Sequence, residues 1–301
     1  MSHIYLISPS SAVRDRAAAR RGIARLRALG HEVEVDPDAF ASRQRFAGDD
    51  GTRLAAIARA TASGADIVLT TRGGYGLTRL LADIRYKTLA RAIERGMQWV
   101  GLSDFTALQC ALLAQAGACS WAGPALLEDF GVEGEADEIM LACFDDLAQG
   151  QGEGAGWQLP RSEARERVFR TRGRLWGGNL SVLASLVGTP YLPSDAQGIL
   201  FLEDVNEHPY RIERMLTQLL HAGVLGRQKA ICLGQFTGYR LVPHDKGFQM
   251  KSVVEWLRAQ VKAPVFTGLP FGHVPTKVLL PVGAQVELAV EGRDALVFWG
   301  D

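Results

Sequence analysis

Met97-Gln98-Trp99-Val100-Gly101-Leu102-Ser103-Asp104-Phe105-Thr106-Ala107-Leu108 is the stretch on which the fold turns. Its apolar run through Leu102 predicts a buried strand. Ala107, Leu108, Ala111 and Leu112 then recur at helical spacing until Gly117 can stop the helix. Ser103 therefore sits on a strand-to-helix turn. Such a turn lifts a hydroxyl clear of a sheet and aims the first N–H groups of the helix at whatever the hydroxyl attacks. Gly101 stands where a nucleophile elbow wants a glycine, but Phe105 stands where the second would be, so a plain helix start fits the same residues.

Upstream, the pattern alternates strand and helix. Ile4 to Ser8 reads as a first strand, Arg14 to Leu29 as a helix closed by Gly30, and Glu32 to Asp36 as a second strand. A helix from Thr52 to Ala62, a strand from Asp66 to Thr71, a helix marked by Leu77, Leu80, Leu81 and Ile84, and a short helix at Leu89 to Arg95 lead into the central strand. This order predicts a parallel sheet with right-handed crossovers, whose ligands bind outside the carboxyl ends of the strands.

Downstream, Ala136 to Gln149 reads as a helix, and Gly150-Gln151-Gly152-Glu153-Gly154-Ala155-Gly156 breaks all periodicity. Glycines at alternate positions argue against a packed element, so the expected division is an N-terminal domain at 1–148, a linker at 149–163 and a C-terminal domain at 164–301. In the second half, Glu166 to Leu175, Gly198 to Leu202 and Ala230 to Gln235 read as strands. Asn179 to Val187, a Pro209-led segment stopped by Gly223, and Phe248 to Val261 read as helices. Val278 to Pro281, Gln285 to Leu288 and Ala295 to Trp299 predict an antiparallel tail set. The expected class is α/β: a Rossmann-like parallel-sheet domain carrying Ser103, plus a mixed α/β domain with antiparallel strands.

Composition narrows the function. The 301 residues carry 33 Lys+Arg against 33 Asp+Glu with no long block of one sign, which counts against nucleic-acid and acidic-membrane partners. No run approaches ~18 apolar residues and the N-terminus has no basic leader, so a cytoplasmic protein is expected. Cys110, Cys119, Cys143 and Cys232 form no CxxC pair and read as reduced thiols. There is no HExxH and the histidines are far apart in sequence; no metal and no cofactor is expected.

Arg72-Gly73-Gly74-Tyr75-Gly76 follows a strand and is neither a P-loop nor a dinucleotide fingerprint, since Arg79 stands where a third glycine belongs. Its glycines either allow a tight turn or offer an N–H that, with that of Asp104, forms an oxyanion hole. A serine nucleophile also needs a base and an orienting carboxylate. Glu203 closes the apolar run Ile199 to Leu202, and His273 lies in a loop between Pro270 and Pro275. His208, beside Glu207 and just before a helix, is the rival base with a capping role available; His31, His221 and His244 read as surface or helix-end residues and His3 as a strand residue.

Across almost the whole chain, ordered motifs resemble the LD-carboxypeptidase (muramoyltetrapeptide carboxypeptidase) family of serine peptidases. They are Ile7-Ser8-Pro9-Ser10-Ser11, the Arg72 loop, Gly101-Leu102-Ser103-Asp104, Trp176-Gly177-Gly178-Asn179-Leu180-Ser181, Phe201 to Glu207 with Pro209-Tyr210-Arg211-Ile212, and Gly268 to His273. The resemblance implies Ser103 as nucleophile, His273 as base and then acid, and Glu203 as its orienting carboxylate. It further implies an oxyanion hole from Asp104 N–H and a glycine N–H of Gly74 or Gly73. A homodimer is implied that works in the cytoplasm on a murein tetrapeptide, releasing D-alanine from the L-centre of meso-diaminopimelate. Arg72, a guanidinium suited to a free carboxylate, is a substrate-binding candidate together with Tyr75; Asn179 is another, although its place at a helix start also suits a cap. Two other readings remain. One is a relative that hydrolyses peptidyl or aminoacyl nucleotides, with Trp176 in a nucleobase pocket; the other is a non-catalytic anion-binding protein.

Overall fold

The computed structural model describes residues 1–193 and 197–300, and at 165–167 the backbone alone. The first sheet is built from β1 (His3–Ile7), β2 (Glu32–Val35), β3 (Ile67–Thr70), β4 (Gln98–Gly101) and β5 (Ser120–Ala122). These five are parallel in the order β5-β4-β3-β1-β2, and a sixth strand from far downstream adds antiparallel beside β5. Order 2-1-3-4-5 is the flavodoxin-like doubly wound arrangement, with its ligand crevice at the switch between β1 and β3. Helices α1 (Arg16–Ala28), α2 (Asp50–Ala62), α3 (Tyr86–Glu94), α4 (Thr106–Ala116) and α5 (Glu138–Gln149) accompany the sheet. Asp15, Asp49 and Asp137 accept from the first-turn N–H groups of α1, α2 and α5, which is why those helices start where they do.

The second sheet is mixed. Its strands are β6 (Gly154–Gln158), β7 (Arg165–Asn179), β8 (Ile199–Val205), β9 (Ala230–Thr237), β10 (Val265–Phe266), and, beyond β11 (Leu280–Val282), β12 (Gln285–Gly292) and β13 (Asp294–Phe298). The order is β10-β9-β8-β7-β12-β13-β6, parallel from β10 to β7 and antiparallel from β7 to β6. Helices α6 (Leu180–Ser185), α7 (Pro209–His221) and α8 (Met250–Gln260) belong to this half. One apolar core spans both halves: Trp99, Phe105 and Leu112 cluster with Trp176, Leu200 and Leu216. Among the described residues no helix is long and apolar enough to cross a membrane.

Three departures from the sequence reading have physical causes. The glycine-rich stretch does hold a packed element, because β6 runs from Gly154 and lies against β13 at the sheet edge, burying Ala155 and Trp157. Leu77, Leu80, Leu81 and Ile84 are all buried, yet only Leu77–Arg79 forms a helical turn, a 3-10 one. Successive bonds of i to i+3 type, Leu80 N–H to Leu77 and Asp83 N–H to Leu80, bring the same positions inward without an α-helix. β12 and β13 pair as expected, but β11 leaves them and joins β5 of the first sheet, with Leu280 opposite Ala122.

Candidate active site

Ser103 follows the carboxyl end of β4 with φ of 67° and leads through a 3-10 turn into α4. A non-glycine residue in that left-handed region costs about 1–3 kcal/mol and persists only where its surroundings hold it. Here the Arg72–Gly76 loop packs on it: a Cβ on Gly73 would come within 2.5 Å of Ser103 Cβ and 2.9 Å of its Oγ. Only glycine lets the loop backbone approach the hydroxyl so closely.

That loop is fixed at two points. Leu77 N–H donates to the Asp104 carboxylate at 2.9 Å and Tyr75 N–H to Ser11 Oγ at 3.1 Å. Asp104 is itself buried, and burial pushes its carboxyl pKa up against the pull of the Leu77 N–H. Tyr75 stays exposed. Arg72 points Nε at Glu128 Oε1 from 3.9 Å, beyond hydrogen-bond reach, and among the described residues that buried nitrogen has no hydrogen-bond partner.

Glu203 is fully buried inside β8, not at its tip as the apolar run suggested. It sits at an irregularity in the ladder, where Leu202 pairs with Leu233 but Asp204 with Phe236, so β9 carries an extra residue opposite it. Bulges of this kind re-aim side chains beside functional sites. Glu203 Oε2 lies 2.8 Å from His273 Nδ1, and Oε1 accepts from Asn179 Nδ2 at 3.1 Å. Because a carboxylate only accepts, the proton of a neutral His273 resides on Nδ1, which leaves Nε2 as an acceptor. Burial pulls the His273 pKa down, but the hydrogen bond and charge of Glu203 outweigh it. Asp204 adds to them, Lys277 opposes, and the result lies above the ordinary imidazole value.

Asn179 joins the two regions. It is opposite Glu203 in the β7–β8 register, its backbone N–H donates to Thr106 Oγ1 at 3.0 Å, and its Nδ2 also reaches Asp204 at 3.0 Å. Its Oδ1 accepts from Val182 N–H, capping α6, so both ends of the amide are engaged within the protein. Gly178 makes this junction possible: a Cβ there would meet Thr106 Oγ1 at 2.5 Å. The chain of contacts thus runs from the first turn of α4 through Asn179 to Glu203 and His273.

Ser103, Gly74, Tyr75, Asn179, Asp204 and Glu207 are among the residues lining a cavity of about 660 Å³. His273 is not among its lining residues; it feels the charges of Glu128 and Asp129 instead, on the turn Leu126–Phe130. Among the described residues no hydrogen bond joins Ser103 to His273, and no group of three or more His, Cys, Asp or Glu is arranged to hold a metal. The rival His208 faces Asp245, with Nε2 at 3.1 Å, and makes no side-chain cap. His31, read as a surface or helix-end residue, does follow the end of α1, where its N–H donates to Leu26 O, but its ring is buried edge-on against Phe144. Asp204 and Ser181, which hydrogen-bond at 2.6 Å beneath the site, were missed; the only sequence signal was their presence in the quoted motifs.

The family model for the LD-carboxypeptidase N-terminal domain matches residues 4–123, and that for the C-terminal domain matches residues 172–288. The chain belongs to the LD-carboxypeptidase family. It is a serine-type carboxypeptidase. The crystal structure of a muramoyltetrapeptide carboxypeptidase from Oxalobacter formigenes is 38% identical, covers 99% of both chains and superposes with a TM-score of 0.89. A murein tetrapeptide carboxypeptidase of Pseudomonas aeruginosa is 32% identical over 72% of this chain and 70% of its own. The microcin C7 self immunity protein in complex with glutamyl sulfamoyl guanosine shares the LD-carboxypeptidase fold, with a TM-score of 0.86 at 21% identity over 99% of this chain and 97% of that one.

Proposed function

We propose that this LD-carboxypeptidase releases the terminal D-alanine of L,D-linked murein tetrapeptides by a serine acyl-enzyme mechanism, in the cytoplasm, during cell-wall recycling. Ser103 Oγ attacks the carbonyl carbon while His273 Nε2 takes its proton. The oxyanion accepts from Asp104 N–H and from Gly73 or Gly74 N–H. His273 then protonates the leaving amine of D-alanine, and water activated by the same imidazole hydrolyses the ester. Glu203 holds the ring and the Nδ1 proton throughout.

The observation that carries this reading is the 2.8 Å couple between buried Glu203 and His273, which leaves an acceptor nitrogen for a serine held in a strained turn. Since His273 must protonate D-alanine, the free carboxylate of that residue stands on its side of Ser103. Arg72 is assigned to that carboxylate, having a guanidinium nitrogen without a hydrogen-bond partner among the described residues. The peptide chain occupies the 660 Å³ cavity, with Tyr75 at its wall. Division into domains at 1–148 and 164–301 belongs to the same proposal, with β6 of the intervening stretch 149–163 paired into the second sheet, as does a homodimer; residue 301 lies outside the described residues. The four free thiols, of which Cys110 and Cys232 are buried with pKa pushed up to about 12 by desolvation, suit a reducing compartment.

The nucleotide-conjugate reading loses its specific support, because Trp176 is buried and donates Nε1–H to Gln228 at 3.0 Å, so no indole face is open to a base. Mass spectrometry of D-alanine release from L-Ala-D-Glu-meso-diaminopimelate-D-Ala tests the proposal. Release by the wild type and none by Ser103→Ala is expected. No release by either protein would overturn the substrate assignment.

A further inference from the structure

His273 lies on a strap that crosses the molecule. On one side Gln235 N–H donates to Phe271 O at 2.8 Å and Glu203 holds the imidazole. Beyond the histidine the chain is taken over by the first half: Thr276 Oγ1 donates to Asp137 Oδ2 at 2.5 Å, Lys277 Nζ donates to Asp129 Oδ1, and β11 joins β5. Lys277 and Asp129 are both essentially without solvent contact, and the second Asp129 oxygen accepts from Ala125 N–H at 2.7 Å. A buried ion pair is a poor source of stability, because the desolvation of two charges offsets their attraction, and apolar replacements often do as well. This pair does have a positional consequence: it clamps the residue four places after His273 to the turn that follows β5.

We propose that Lys277 and Asp129 are positioning residues, a latch that sets the distance between the imidazole on the strap and the serine on the turn after β4. The inference rests on His273 being the base in the mechanism above. Loss of the latch leaves the histidine and glutamate coupled to each other but no longer indexed to Ser103. A shift of about 1 Å in such an arrangement costs about 100-fold in turnover. The charges facing His273 come from three elements: Glu203 and Asp204 on β8, Lys277 on the strap itself, and Glu128 and Asp129 on the turn. Lys277 and Asp129 act on the imidazole with opposite sign. Removing both together therefore sets one electrostatic change against the other, and the loss in kcat reads the geometric contribution.

The test compares wild type, Asp129→Asn/Lys277→Met and His273→Ala for fold by circular dichroism, kcat, KM and pH profile on the tetrapeptide. In the double variant the amide oxygen introduced at position 129 can still accept from Ala125 N–H, and no buried charge is left unpaired. The proposal expects a folded double variant with kcat down about 100-fold, KM within a factor of about 3 and the acid limb of the profile in place. A folded double variant with wild-type kcat would overturn the latch, as would one that does not fold, which would assign the pair to the fold alone. Full turnover by His273→Ala would instead remove the mechanism on which the latch rests.

Discussion

The two halves of the site are made of different material. On the side of the first sheet, geometry does the work: a serine with φ of 67°, a glycine pressed against it, and N–H groups tied by Asp104 and Ser11. On the side of the second sheet the contribution is charge, with Glu203 and Asp204 buried side by side and shared among His273, Asn179 and Ser181. A backbone device fails when a Cβ is added. A charge device fails when a proton or carboxylate is removed, and it carries a pH dependence that the first lacks. On the proposed mechanism, catalysis therefore has two separable failure modes.

Substitution at the proposed nucleophile gives the largest expected effect. Ser103→Ala should lower kcat by about 10⁴-fold or more in a folded protein. Ser103→Gly should lose the same activity yet raise stability by about 1 kcal/mol in denaturant unfolding, since glycine relieves the left-handed strain. Equal stability of the glycine variant and wild type would mean that the turn stores no strain.

Glu203→Gln comes next, with kcat down by about 10³–10⁴-fold, because an amide can hold the wrong tautomer of His273. The acid limb of its pH–rate profile should also move to lower pH, since Glu203 supplies the hydrogen bond and charge that raise the His273 pKa against burial. Gly73→Ala follows, at about 10²–10³-fold, the scale of a lost oxyanion donor, with no displacement of that limb. A pH shift in the glycine variant, or none in the glutamine variant, would erase the distinction between the two sides.

The smallest effect is on stability. The folded pKa of His273 is raised, so its protonation stabilises the native state fully below the ordinary imidazole pKa of about 6.5. That contribution is lost as pH rises through the higher folded value. Activity is expected to change in the opposite sense over the same window, because the proposed base works only when neutral. Parallel thermal melts and rate measurements across that window should show the two trends crossing.

Much of this was legible in the sequence where one local pattern decides the structure. The strand-turn-helix at Ser103, the parallel alternation before it and Pro209 at the start of α7 depend on neighbours within a few residues. Placement of β6 and β11 depended on partners far along the chain, which neither glycine content nor an apolar run reveals. Asn179 shows the boundary clearly. Its capping role was readable from its position, but its bond to Glu203 arises only from the β7–β8 register. Lys277 gave still less warning, since nothing next to it in sequence names the buried carboxylate that receives it.

The central claim is that a serine made accessible by the first half is activated by a couple built in the second. Rates of fluorophosphonate labelling at Ser103, located by peptide mass spectrometry in wild type, His273→Ala and Glu203→Gln, address it directly. Rapid modification of Ser103 is predicted in the wild type, with labelling slowed by at least about 100-fold in both variants. Equal labelling of all three proteins, or modification elsewhere, would contradict it.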